Sequence, residues 1–229
     1  MKIRKLWIVI LAMVLTVALT ACGSTRPQEA ADPVEATPEE NTEDAPGNSG
    51  ASKDTLVIYF SAANSNDADA VTSATPMKDG ASAVGWIADT IAEETGADVV
   101  KIVPKKDYPL EYNEVIDQAR KETNSNARPE FVNLEVNPTE YKNVFIGYPI
   151  WWYTYPMVME SFFDTYDLSG VNIIPFNAHE GSRDSETYSL IKKREPKANV
   201  LEGLPVSGRD TGTKAARNDV IKWLQALDL

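Results

Sequence analysis

From Asp54 onward, short apolar runs alternate with segments of helical period. Leu56-Val57-Ile58-Tyr59-Phe60 is almost unbroken in apolar character, the pattern of a strand covered on both faces. Val84 to Glu94 sets Val84, Ile87, Ala88 and Ile91 on one helical face and ends at Thr95-Gly96, a helix stop. Val99 to Val103 reads as a second strand, and Lys101 within it argues for a place toward the sheet edge. Glu111 to Thr123 follows as a helix and Val144 to Tyr148 as a central strand. Pro156 opens a helix through Tyr166, and Val171 to Asn177 is the next strand. Residues 184–194 and 214–227 supply two more helices, with a short strand from Leu204 to Ser207 between them. Five strands with intervening helices predict an α/β fold, a doubly wound five-stranded parallel sheet. Such sheets bind ligands beyond the carboxyl ends of the strands, at the switch point. The loops after Phe60, Tyr148 and Asn177 are therefore the candidate site.

The chain ahead of that domain has a different character. Lys2, Arg4 and Lys5 precede an uncharged, mostly apolar run from Leu6 to Thr20, short for a membrane span and right for a signal-peptide core. Leu19-Thr20-Ala21-Cys22 resembles the bacterial lipoprotein box. The expectation is a lipoprotein signal peptide over residues 1–21 and a thioether-linked diacylglycerol on Cys22, which anchors without spanning. Residues 22–53 are Pro, Ala, Glu, Thr, Asn and Ser with almost no large apolar side chain, the composition of a disordered tether. At ~5–6 Å × √n its mean reach is roughly 30 Å. The globular domain is expected over 54–229, at the extracytoplasmic face of a cell membrane.

Charge and composition narrow the functions. Of 229 residues, 22 are basic and 34 acidic, a net charge of −12. Loss of residues 1–21 would remove three bases and no acids, deepening −12 to −15. That balance argues against a nucleic-acid partner, which requires a basic face to displace counterions. One cysteine excludes an internal disulfide, and one cysteine with one histidine cannot build a Cys/His zinc site. No segment repeats at a solenoid period.

Three loops then carry the chemistry. Ser61-Ala62-Ala63-Asn64 is small and polar and leads toward a helix, whose N-terminal amides are a ready phosphate site; simple capping is the plainer reading. Gly147-Tyr148-Pro149-Ile150-Trp151-Trp152-Tyr153-Thr154-Tyr155-Pro156 is dense in aromatics, which either form a satellite core or stack on a flat ligand. Asn177-Ala178-His179-Glu180-Gly181-Ser182 is small enough for backbone amides to approach a ring edge. His179, the only histidine, reads as a hydrogen-bonding neighbour or as a general base.

Leu56 to Ser61, Phe145 to Trp152 and Ile174 to Ser182 resemble the three cofactor loops of flavodoxin-like proteins. Ala127-Arg-Pro-Glu130 and Asp167-Leu-Ser-Gly170 are similar to the bacterial lipoprotein-type branch of that family. The resemblance covers 54–229, with Pro149-Ile-Trp-Trp152 its most specific part. It implies FMN as cofactor. The first loop, with Ser61, Ala63, Asn64 and Ser82 at the helix start, would cradle the phosphate. The second, with Pro149, Ile150, Trp151, Trp152 and Tyr153, would lay Trp151 or Trp152 against the isoalloxazine. The third, with Asn177, His179, Glu180 and Gly181, would meet the pyrimidine edge through backbone groups.

One departure stands out. Where flavodoxins run the phosphate loop straight into the first helix, about eighteen residues are inserted here. Within them Asp69-Ala70-Val71-Thr72-Ser73-Ala74-Thr75 resembles the acceptor motif of bacterial flavin transferases, Asp-x-x-Ser/Thr-Gly-Ala-Ser/Thr, with Ser73 in the glycine place. In those substrates the last Thr or Ser carries FMN through a phosphoester, which would put the link on Thr75; a loop that merely caps the helix is the alternative. The function implied is an FMN-binding electron-transfer lipoprotein serving a redox partner protein or a small-molecule acceptor. Acidic residues Glu93, Glu94, Glu111 and Glu114 either disfavour a reduced anionic flavin and steer basic partners, or form an ordinary solvated face. The alternatives are an FMN-dependent oxidoreductase passing hydride from a nicotinamide to a quinone, and a non-redox lipoprotein that keeps the fold.

Overall fold

The computed structural model describes residues 54–62, 82–109, 111–227 and 229. The expectations for 1–53, including Cys22, and those for Ala63, Asn64 and Thr75 lie outside them. In chain order come β1 (Thr55–Phe60), α1 (Ala83–Thr95), β2 (Asp98–Ile102), α2 (Tyr112–Asn124), β3 (Asn143–Pro149) and α3 (Val158–Thr165). They are followed by β4 (Asn172–His179), α4 (Thr187–Arg194), β5 (Asn199–Val200), β6 (Leu204–Ser207) and α5 (Lys214–Ala226). The sheet runs β2-β1-β3-β4-β5, β6 also pairs with β4, and every ladder is parallel.

Side-chain alternation along these strands builds two cores. Leu56, Ile58, Phe60, Val144, Ile146, Tyr148 and Ile173 face α2, α3 and α4, meeting Val115, Val158, Phe162 and Ile191. Val57, Phe145, Ile174 and Phe176 face α1 and α5, meeting Val84, Ile87, Ile91, Val220 and Trp223. Strand β3, with apolar neighbours on both faces, is buried at every residue. β2 lies at the edge as its lysine implied, and exposes Asp98, Val99 and Lys101.

The outermost strand position differs from expectation. Instead of one strand it is filled by two, β5 beside Asn172 and Ile173 and β6 beside Phe176 to His179. The carbonyls of Val171 and Ile173 accept from Asn199 and Leu201, each at 2.9 Å, so odd-numbered residues of β4 bond toward this edge. Pro175 is the next of them and has no N–H to give, so the ladder lapses opposite it. Gly203 sits in the gap, where a Cβ would come within 2.7 Å of the Pro175 carbonyl and 2.5 Å of the Tyr188 ring.

Two helices also start later than their patterns imply. Pro156 makes only a turn, its carbonyl accepting from Met159 at 2.9 Å, and α3 begins at Val158. α4 begins at Thr187, because Arg183, Ser185 and Glu186 hold left-handed φ of 54°, 50° and 61°. The segments 127–130 and 167–170 act as joints of the fold. Arg128 binds Asp164 at 2.5 Å and Glu160 at 3.3 Å on α3, and Arg194 of α4 binds the same two carboxylates. Asp167 closes its own turn by accepting from the Ser169 amide at 3.1 Å.

Gly147 packs directly against the ring of Phe176 on the neighbouring strand. A Cβ there would fall within the Phe176 ring, and both residues are fully enclosed. Gly147→Ala is expected to lower stability by about 1–3 kcal/mol through overpacking. A lower urea midpoint at unchanged slope would show it.

Candidate functional site

The chain leaves β1 for β2 on one side and returns to β3 on the other, so the switch point lies between β1 and β3. Ser61 and Ala62 continue from β1 there, and both are buried. Across the insertion, Ser82 is the N-cap of α1, its Oγ accepting from the Gly85 amide at 2.9 Å. Its oxygen is thus engaged, and among the described residues the hydroxyl hydrogen and the amides of Ala83 and Val84 have no acceptor. The tight cap needs Gly85, since a Cβ there would press to 2.8 Å from the Ser82 hydroxyl.

The second loop is a closed turn. Ile150 donates to the Ala178 carbonyl at 2.9 Å, tying the loop to β4. Trp151 and Thr154 then exchange both main-chain hydrogen bonds, at 2.8 and 3.0 Å. Between them Trp152 and Tyr153 have φ of 45° and 65°. Two successive left-handed residues match the hairpin turn usually built from Asn-Gly, and a bulky side chain there carries strain of order 1–3 kcal/mol. The turn turns the two tryptophans apart. Trp151 is buried edge-on against Phe60 (5.5 Å) and Tyr108 (5.0 Å), and its Nε1–H has no acceptor among the described residues. Trp152 is 41% exposed and Tyr153 73%. The Arg120 guanidinium lies 4.0 Å above the Trp152 ring. Of the two tryptophans, Trp151 is a wall of the site and Trp152 the one with accessible ring.

The third loop begins later than expected, because β4 continues to His179. Asn177 is therefore a strand residue, fully buried, and its side chain is occupied. Its Nδ2 donates to the Arg183 carbonyl at 2.9 Å and its Oδ1 accepts from the Tyr188 hydroxyl at 2.6 Å. It braces the loop and does not present its side chain to a ligand. Tyr148 adds a second brace, donating to Thr187 at 2.9 Å, while Thr187 donates to the Asp184 carbonyl at 2.6 Å. His179 is 9% exposed, and its Nδ1 accepts from the Gly181 amide at 3.0 Å. Burial and then Arg183 hold its pKa below the ordinary histidine value, so the imidazole is neutral at pH 7. Glu180 pairs with Arg209 at 3.1 Å, and burial raises its carboxyl pKa in spite of that partner.

Pro149, Ile150, Trp151, His179 and Gly181 thus gather at one edge of the sheet beside Ser61. The acidic residues divide. Glu93 and Glu94 close α1 at the opposite edge and pair with Arg217 at 2.8 and 2.7 Å, while Glu111 and Glu114 open α2 on the site's side. Sequence reasoning missed Tyr108, Arg120, Tyr188 and Arg209. Each reaches the site from another part of the chain, and no local spacing announces it.

Residues 54–227 match the Flavodoxin family. Among solved structures, a protein of Bacteroides uniformis ATCC 8492 assigned as a flavoprotein is 24% identical, with a TM-score of 0.59 over 75% of this chain and 97% of its own. A protein of Bacteroides eggerthii DSM 20697, also assigned as a flavoprotein, is 27% identical, with a TM-score of 0.59 over 77% and 98%. A flavoprotein of Lactobacillus acidophilus NCFM in complex with FMN is 18% identical, with a TM-score of 0.52 over 75% and 99%. No curated protein matches the chain. A family match of that length, on a sheet wound in that order, makes this chain a member of the flavodoxin family.

Proposed function

We propose that the protein binds FMN and carries electrons at the extracytoplasmic face of a bacterial membrane, held there by a lipid on Cys22. The observation that carries the FMN reading is the strained turn that displays Trp152 and Tyr153 at the edge where a flavodoxin-family sheet receives ligands. The residues present fit the group. Amides of Ala83 and Val84 at the start of α1 suit a phosphate. Among the described residues the buried Nε1–H of Trp151 has no acceptor, and a buried donor gains from a polar partner. The FMN found with the Lactobacillus acidophilus flavoprotein supports the same choice.

Bound FMN supplies the one- and two-electron chemistry. The protein's part is to hold and screen it. The Trp151–Phe60–Tyr108 cluster backs the aromatic turn, Arg120 covers Trp152, and neutral His179 adds no charge to the third loop beyond that of its own Arg183. An acidic surface steers the carrier toward basic partners, whether a redox protein or a cationic small acceptor. The membrane enters only as the lipid's host.

Trp152→Gly tests the turn. Glycine relieves the left-handed φ and removes the ring, so stability should hold within about 1 kcal/mol. FMN affinity should fall several-fold, given ~0.5–1.5 kcal/mol for a stacked ring, as read by flavin absorbance and fluorescence titration. Unchanged affinity would remove Trp152 from the site. Rapid pyridine-nucleotide oxidation with a quinone acceptor would make the protein an oxidoreductase rather than a carrier.

The acceptor-like motif adds a second test. A phosphoester on the Thr75 hydroxyl would secure FMN where little free cofactor is available. Protein produced with a flavin transferase should show an FMN mass increment on the 69–75 peptide, lost in Thr75→Ala. Its absence, with flavin retained noncovalently, would make Thr75 an ordinary loop residue. For the anchor, Cys22→Ser should abolish lipid labelling and release the protein from the membrane fraction.

A further inference from the structure

We propose that His179 is an acid-sensitive latch on the third cofactor loop: its neutral imidazole holds the Gly181 amide, and protonation releases the loop and weakens FMN binding. The FMN clause rests on the function proposed above; the latch itself does not.

The chemistry follows from one hydrogen bond. Nδ1 accepts from the Gly181 N–H at 3.0 Å, so it carries no proton. A neutral imidazole has one N–H, which is therefore on Nε2, and Nε2 has no partner among the described residues. Protonation places a hydrogen on Nδ1 as well. Two donors then face each other, and the Gly181 amide loses its acceptor.

The loop is built to respond. Gly181 has φ of 106°, a backbone that other residues rarely adopt, and Arg183, Ser185 and Glu186 follow in left-handed conformation. Such a run persists only where hydrogen bonds hold it. At its far end those come from Asn177 to the Arg183 carbonyl and Thr187 to the Asp184 carbonyl. At its near end the Gly181 amide bonds to His179 and the Ser185 amide to the Ser182 carbonyl at 3.1 Å, and only the first of these has a titrating acceptor.

Charged groups around the ring oppose one another. Arg183 in the loop disfavours the imidazolium, and Asp184 in the loop and Asp210 after β6 favour it. Glu180 and Arg209 largely cancel as an ion pair. Tyr148 and Tyr188 from β3 and α4 stay neutral, since burial raises both. Burial of the imidazole is the largest influence and lowers its pKa. The open or unfolded loop, with an ordinary value of 6.5, then takes up the proton first. The latch is therefore closed above about pH 7.5 and loses hold as pH falls through 6.5 and below.

His179 is the chain's only histidine, so histidine-selective 15N labelling of tag-free full-length protein reports one imidazole. At pH 7.5 the expected spectrum is the Nε2–H tautomer with an acceptor Nδ1. Its titration should fall below the ordinary histidine value, and the Gly181 amide resonance should move with the same midpoint. FMN dissociation constants should rise by roughly three- to ten-fold from pH 7.5 to 5.5, the loss of one hydrogen bond. His179→Asn keeps an acceptor in the Nδ1 place without a titrating group, so its own FMN dissociation constant, whatever its value at pH 7.5, should not change on going to pH 5.5. An Nδ1–H tautomer, or a Gly181 amide indifferent to the titration, overturns the latch. Equal loss of FMN by wild type and His179→Asn at pH 5.5 overturns its coupling to the cofactor. Absence of FMN binding at every pH, with the imidazole and Gly181 titrating together, supports the latch and rejects the FMN reading.

Discussion

All that happens at the cofactor edge hangs from β3. Its seven residues, Asn143 to Pro149, are buried without exception between two helical layers, and it pairs with β1 on one side and β4 on the other. A strand so enclosed can place no unpaired polar group along its length, and its one amide side chain, Asn143, accepts from Asn172 at 2.8 Å. Where Gly147 meets Phe176 the packing leaves no room even for a methyl group. Because interiors pack like organic crystals, such a contact sets the spacing of β3 and β4 closely. The aromatic turn and the histidine loop, which leave those two strands, inherit that spacing.

Backbone strain is concentrated where the ligand is expected. Five of the six non-glycine residues with left-handed φ among the described residues lie in the second and third loops: Trp152, Tyr153, Arg183, Ser185 and Glu186. Strain of that kind survives when surrounding bonds over-determine the chain. In the second loop the paired Trp151–Thr154 bonds do so, with Trp151 wedged against Phe60 and Tyr108. In the third, three buried side chains share the task, Asn177, Thr187 and His179. Two of these bracing groups cannot titrate near neutrality and the third can. The loop is thus rigid at one end and responsive to acid at the other.

Helix α3 joins this edge to the rest of the molecule. Tyr155 follows the aromatic turn directly and donates to Glu160 at 2.6 Å, and Glu160 also receives Arg128 and Arg194. The segment after α2 and the end of α4 are thereby fastened to the helix that follows the turn. Two arginines face Glu160 and Asp164, and Arg194 also reaches Glu195 at 3.6 Å, so opposite charges alternate through this half-buried cluster.

The amino-acid sequence alone determined the sheet, its edge strand and the three loops, because apolar runs and helical periods report burial directly and the winding rules leave few topologies. It located the aromatic loop and the single histidine for the same reason. It did not reveal that Pro175 splits the outer strand, since the missing N–H matters only once the bonding direction of β4 is known. Nor did it separate Trp151 from Trp152, adjacent and identical in type, because burial of one and exposure of the other depends on a left-handed turn and on Phe60, Tyr108 and Arg120. Asn177 entered the site through the resemblance and by its backbone, and the sequence said nothing of its side chain, which Tyr188 and the Arg183 carbonyl occupy as a brace. Local pattern decides what a residue can do. Only the tertiary structure, by bringing partners from distant segments within hydrogen-bonding reach, decided which of those abilities was already taken.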